Sequence, residues 1–234
     1  MREVGVWPLR VAIFGAAVFV LAPIAARLGI VPPVVGFLGF VAGGIIGLFD
    51  AIAGVFVFRR DRRRGILVMA LSEIPALALV FASLGGIGKP LINDITTDAD
   101  EPPILVSAMG RPANHGRDMV YPESFGEQQR SAYPDVKPLR LKEAPDAVFQ
   151  RALDAARRHA DWEIDSVNEP ARTFEGVATS RIFAFQDDFA VRVRPDGSGS
   201  VVDMRSKSRD GKGDLGANAA RIRSFLDELA RGVR

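Results

Sequence analysis

The chain has 234 residues, with 30 Lys and Arg against 28 Asp and Glu, and no cysteine. Without cysteine there is no disulfide, no thiolate chemistry and no Cys-based zinc site, so a soluble portion must be held by its own core. The charges are unevenly spread: residues 1–89 hold nine basic and four acidic side chains, leaving 21 basic and 24 acidic for 90–234. That distal balance of −3 argues against nucleic acid, whose phosphates need a basic face.

The two parts read as separate units. Residues 1–89 are expected to form a three-helix transmembrane anchor, 90–144 an extended proline-rich segment wrapping its neighbour, and 145–234 an α+β core. The first span is placed at about 7–28; its long apolar run, Arg27 behind it and a second span close by argue against a cleaved signal peptide. The second, about 34–58, follows Pro32 and Pro33. It carries Gly39-x-x-x-Gly43 and Gly43-x-x-x-Gly47, spacings that permit close helix packing inside the bundle or homo-oligomer formation through this span. The third covers about 66–88.

Between the second and third spans lies Arg59-Arg60-Asp61-Arg62-Arg63-Arg64. By the positive-inside rule this loop stays in the cytoplasm, with Arg2 and Arg10 near a cytoplasmic N-terminus in agreement. In a bacterium this makes a multi-pass inner-membrane protein with a periplasmic C-terminal domain. Asp50 and Glu73 each lie nine residues from the loop's outer arginines, about 13 Å along their helices. They are expected at matching depth, facing the bundle interior, where a charge costs at least about 2.5 kcal/mol. They are candidates for a proton-sharing pair, for a polar site that takes a substrate or a partner helix, or for a buried pair of neutral acids.

Residues 89–144 are rich in proline, Asp and Asn without a sustained period, which predicts extended chain rather than regular structure. A helix is predicted from Pro145, with Val148, Phe149, Ala152, Leu153 and Ala156 on its core face. Four strands follow, at Trp162–Ser166, Arg172 to about Phe185, Asp188–Arg194 and Ser200–Ser206, with a turn at Pro195–Gly199. A last helix, about Leu215–Arg231, places Leu215, Ala219, Ile222, Leu226 and Leu229 on one stripe, and Asp214 as its N-cap. The expected fold is an antiparallel four-strand meander flanked by two helices.

Several segments together resemble an uncharacterised bacterial and plastid family, the proteins bearing the domain of unknown function numbered 1499. The segments are Asn93–Asp98, Ala132–Asp135, Asp187-Asp188 with Val191–Val193, Val202–Arg209, Gly211, Asp214–Asn218 and Arg221-Ile222. The resemblance spans most of 90–230 and implies a membrane-attached or exported protein. It implies no activity, cofactor or catalytic residue.

Period-two alternation puts Asp188, Arg192 and Arg194 on one strand face, and Asp203 and Arg205 on one face of the next. With the loop into the last helix, Arg192, Asp203, Arg205, Ser208, Arg209 and Asn218 form a candidate site for a phosphate or carboxylate headgroup. The bland alternative is a solvated face of small ion pairs. His115 and His159 lack metal-pair spacing, and no nucleophile, phosphate-loop or dinucleotide motif is present, so neither cofactor nor catalytic residue is assigned. The expected function is a non-catalytic membrane protein whose periplasmic domain binds an envelope lipid or a protein partner. An envelope hydrolase or transferase using carboxylates, and a transporter accessory subunit, are the alternatives.

Overall fold

The computed structural model describes residues 6–232; Arg2, used above for topology, lies outside them. The chain divides into two compact units. One holds the described residues through Ile87 together with Arg181–Ala184, and the other holds Gly88–Ser180 and the residues from Phe185 on.

In the first unit, α1 (Val6–Arg27), α2 (Pro33–Phe58) and α3 (Arg62–Gly86) have 22, 26 and 25 residues and are apolar enough to cross a membrane. Their large apolar side chains are extensively exposed, as expected of helices meant for lipid rather than water. Packing among them depends on the glycines of α2. A Cβ added at Gly36, Gly39 or Gly43 would run into Ala26, Ala22 or Phe19 of α1, and one at Gly44, Gly47 or Gly54 into Leu79, Ser72 or Met69 of α3. Those glycines are therefore used inside the bundle, not held out for association between copies.

The arginine run is not wholly loop. Asp61 caps α3 by accepting the Arg64 N–H at 3.1 Å, so Arg62, Arg63 and Arg64 form its first turn. Gly65 packs directly on the Phe58 backbone, which lets the α2–α3 connection be this short.

The second unit is an antiparallel sheet of six strands, where four were expected. Its order is β1 (Asp94–Thr96), β6 (Gly199–Ser208), β5 (Gln186–Asp196), β4 (Thr173–Thr179), β3 (Trp162–Asn168), with β2 (Leu139–Leu141) also on β6. The two added strands have three residues each and share one edge of β6, β1 opposite 205–207 and β2 opposite 200–202. They come from the segment expected to be irregular, which also contains the one-turn α4 (Val106–Met109), a 3-10 turn at Pro112–Asn114 and α5 (Glu123–Ala132). A three-residue strand is too short to show alternation. The residues α5 buries are Gly126 and Gln129, so it shows no apolar period.

One sheet face is apolar and carries α6 (Pro145–Arg158) and α7 (Ala217–Arg231). Val148, Phe149 and Leu153 of α6 and Ile222, Phe225 and Leu229 of α7 close over Phe174, Phe189, Val191, Val202 and Met204. Gly176 makes room for the Phe189 ring, which a Cβ there would strike. Leu215, expected on the α7 stripe, is exposed instead. It takes a left-handed φ of 53° before Gly216 at 86°, and the helix starts only at Ala217. Asp214 still serves that helix end, accepting the N–H groups of Gly216 and Asn218 at 2.8 Å each.

Candidate functional site

The other sheet face is polar, and most of it is covered. The chain between β1 and α5 crosses it, anchored by a small apolar cluster of Leu105, Ala108 and Met119 on Ala190. Beneath it the alternation of β5 and β6 places Asp188, Arg192 and Arg194 beside Asp203, Arg205 and Lys207, with Arg192 directly opposite Asp203. Every carboxylate there is matched. Asp94, fully buried, accepts from Arg205 Nε at 2.9 Å, Arg205 Nη2 at 2.8 Å and Lys207 Nζ at 3.0 Å. Asp203 accepts from Arg192 Nη2 at 3.1 Å and Arg194 Nε at 2.9 Å. Asp188 accepts from both arms of Arg209, at 3.0 and 2.7 Å, and from Arg111 and Asn114 of the crossing chain.

The cations are equally committed. Arg205 gives two further N–H groups to the carbonyls of Pro103 and Met119 and lies over the Tyr121 ring. Arg192 reaches the Glu101 carbonyl at 2.7 Å, and Arg194 reaches Asp98 at 2.9 Å. For Arg194, burial works against the charge, but Asp203 and Asp98 outweigh it and raise its pKa. At Arg111 burial dominates and lowers the pKa despite Asp188. Burial, and then the neighbouring Asp94, push the Tyr121 phenol up to about 12.

The six candidates do not form one site. Arg192, Asp203, Arg205 and Arg209 belong to this charged face. Ser208 and Asn218 lie on the helix-covered face with Ser206, Asp187 and Arg221. The fully buried Asn218 amide is saturated: it accepts from Ser206 Oγ at 2.7 Å and Arg221 Nη1 at 2.5 Å, and donates to Ser208 Oγ and the Asn93 carbonyl. With Asp214 already on the α7 N–H groups, that helix end offers an anion little.

The geometry of the soluble unit is thus one sheet with an apolar face and an ionic face, closed by α6 and α7 on one side and by its own N-terminal segment on the other. Residues 94–229 match the family described as protein of unknown function (DUF1499). The chain belongs to that family. No curated protein matches it. The DUF1499 match starts at Asp94, the hub of the ionic face, and runs to Leu229, the last buried leucine of α7.

The DUF1499 domain has an open cleft of about 490 Å³ that sequence reasoning did not single out. It opens where the β6 edge passes from β1 to β2, lined by the residues just after β1 (Thr97–Asp100), the end of α5 and the residues leading into β2. Four cations border it. Arg140 pairs with Asp196, and Arg194 with Asp98 and Asp203. Arg130 and Lys137 have no carboxylate partner among the described residues. No sequence period marks this cleft, because its walls come from separate turns of the chain.

Among the described residues no group of three or more His, Asp or Glu is placed to hold a metal ion. His159 instead stacks on Trp162 and meets Glu228 at 3.1 Å. In the helical unit Asp50 is buried, with its Oδ2 lacking a partner. Glu73 is exposed on α3, so the expectation that both acids face the interior fails for Glu73. Nine residues from each end of the loop sets depth but not rotation, and Ser72, one position earlier, holds the inward place and donates to the Val68 carbonyl.

Proposed function

We propose that this protein is a non-catalytic binding module of the bacterial inner membrane, its three helices anchoring a periplasmic DUF1499 domain that recognises an anionic group of an envelope lipid or protein partner. The supporting observation is the contrast between the two sets of cations. The arginines of the ionic face are paired with carboxylates, Arg205 being buried outright, whereas Arg130 and Lys137 stand at an open cleft with no ion pair among the described residues. A phosphate or carboxylate entering there gains charge-assisted hydrogen bonds without first breaking an ion pair. The arginine run between α2 and α3, held inside by the positive-inside rule, supports the orientation.

Native mass spectrometry of the full-length protein, gently extracted from its own membrane, tests this. A co-purifying anionic molecule that is lost from an Arg130→Ala, Lys137→Ala chain supports the cleft as the site. Retention of that molecule by the doubly substituted chain, or bare protein throughout, refutes it.

A further inference from the structure

Helix α3 carries an exposed seam. Ile66, Ala70, Glu73, Leu77, Val80 and Leu84 recur at alternating spacings of four and three, and all six are exposed. That is the 3.5-residue period on which two helices supercoil and interlock their side chains. Five of the six suit contact with lipid. Glu73 does not: it lies about 13 Å along the helix from Arg64, near the middle of a hydrocarbon core about 30 Å thick. A carboxyl group facing hydrocarbon at that depth requires a hydrogen-bonding partner.

We infer that this seam is the interface of a parallel, two-fold dimer in which Glu73 hydrogen-bonds to the same residue of a second copy of the chain. All copies cross the membrane in one direction, so two such seams meet in parallel register and each residue faces its equivalent. A carboxyl group offers both a donor and an acceptor, so two copies satisfy each other with no further residue. A foreign helix would have to bring a polar group to this one depth. A single polar residue in an apolar seam also fixes register and strand number in soluble coiled coils. The α2 glycines, the other means of close approach, are already packed against α1 and α3. This inference is independent of the cleft.

The absence of native cysteine permits single-cysteine cross-linking of the full-length protein in native membranes. Ala70→Cys and Leu77→Cys test the seam; Leu67→Cys and Ile74→Cys, exposed on its flank, serve as controls. Under mild oxidation the seam variants are expected to give disulfide-linked dimer at about ten times the control yield. In the Ala70→Cys chain, Glu73→Gln keeps hydrogen bonding and the yield, whereas Glu73→Leu lowers the yield by about three- to tenfold. Equal yields at all four positions, no dimer at the seam, or linkage to a different protein overturns the interface. A Glu73→Leu chain that cross-links like the unsubstituted one overturns the carboxyl pairing.

Discussion

Replacing Asp94 by Ala removes the one carboxylate shared by Arg205 and Lys207, residues that are 2% and 7% exposed. Removing one partner of a buried ion pair costs about 3–5 kcal/mol, because the stranded charge keeps its desolvation penalty. Two features favour the lower end. Arg205 retains the Pro103 and Met119 carbonyls, and Lys207, on a flexible stem, has a short route to water. Asp94→Asn keeps the shape and one acceptor, and is expected to cost about 2–3 kcal/mol. The reporter is already present: Trp162 stacks on His159 at 4.4 Å and packs on Phe189 at 4.5 Å, and in a Trp7→Phe chain it is the sole tryptophan. Urea unfolding followed by Trp162 fluorescence should show the Asp94→Ala midpoint lowered by about 2 M with an unchanged slope. A midpoint within about 0.3 M of the parent chain would refute a tightly closed ionic face and reopen Arg205 as an available ligand.

Tyr121 makes the alkaline limb of stability informative. Its folded pKa, about 12 against an ordinary 10.0, means the folded state holds a proton that the unfolded state releases. This contribution is complete below pH 10 and is lost as pH rises towards 12, amounting to about 1–2 kcal/mol after solvent screening. Tyr121→Phe, which gives up the hydrogen bond to Gln129, should show a flatter stability curve across that window in the same urea assay; parallel curves would exclude the assignment. Gly176→Ala puts a methyl group against the Phe189 ring and the Glu163 carbonyl, and should destabilise the domain by about 1–3 kcal/mol. A neutral result would mean that β3 and β4 separate more easily than their packing implies.

Long apolar runs made the three N-terminal helices legible, and Pro145 with its stripe of Val148, Phe149 and Leu153 located the start and core face of α6. The alternation along β5 and β6 correctly gathered Asp188, Arg192, Asp203 and Arg205 on one face, because period two is a local property. Whether that face meets water is not local. Its cover arrives from residues 97–121, and its hub Asp94 is 111 positions from Arg205 in sequence. Gln129 illustrates the same limit. Its amide accepts the Thr96 N–H at 2.9 Å and donates to the Thr96 carbonyl at 2.6 Å, standing in for a neighbouring strand. A polar residue buried for that purpose leaves no mark in a hydrophobic pattern. Glu73 and Leu215 were misplaced for a simpler reason: spacing fixes height along a helix, but rotation about its axis and the point where it starts depend on the neighbours it meets.

The ionic face also bears on how this domain responds to temperature. Unfolding raises heat capacity by exposing apolar surface and lowers it by exposing polar surface, and here much of one side of the sheet is occupied by arginine, lysine and aspartate. The domain therefore has a smaller heat-capacity increment than one of equal size with two apolar faces, and its free energy of unfolding curves more gently with temperature. A flatter curve keeps the fold near its maximum stability over a wider range of temperatures, and moves its cold-denaturation point further below freezing.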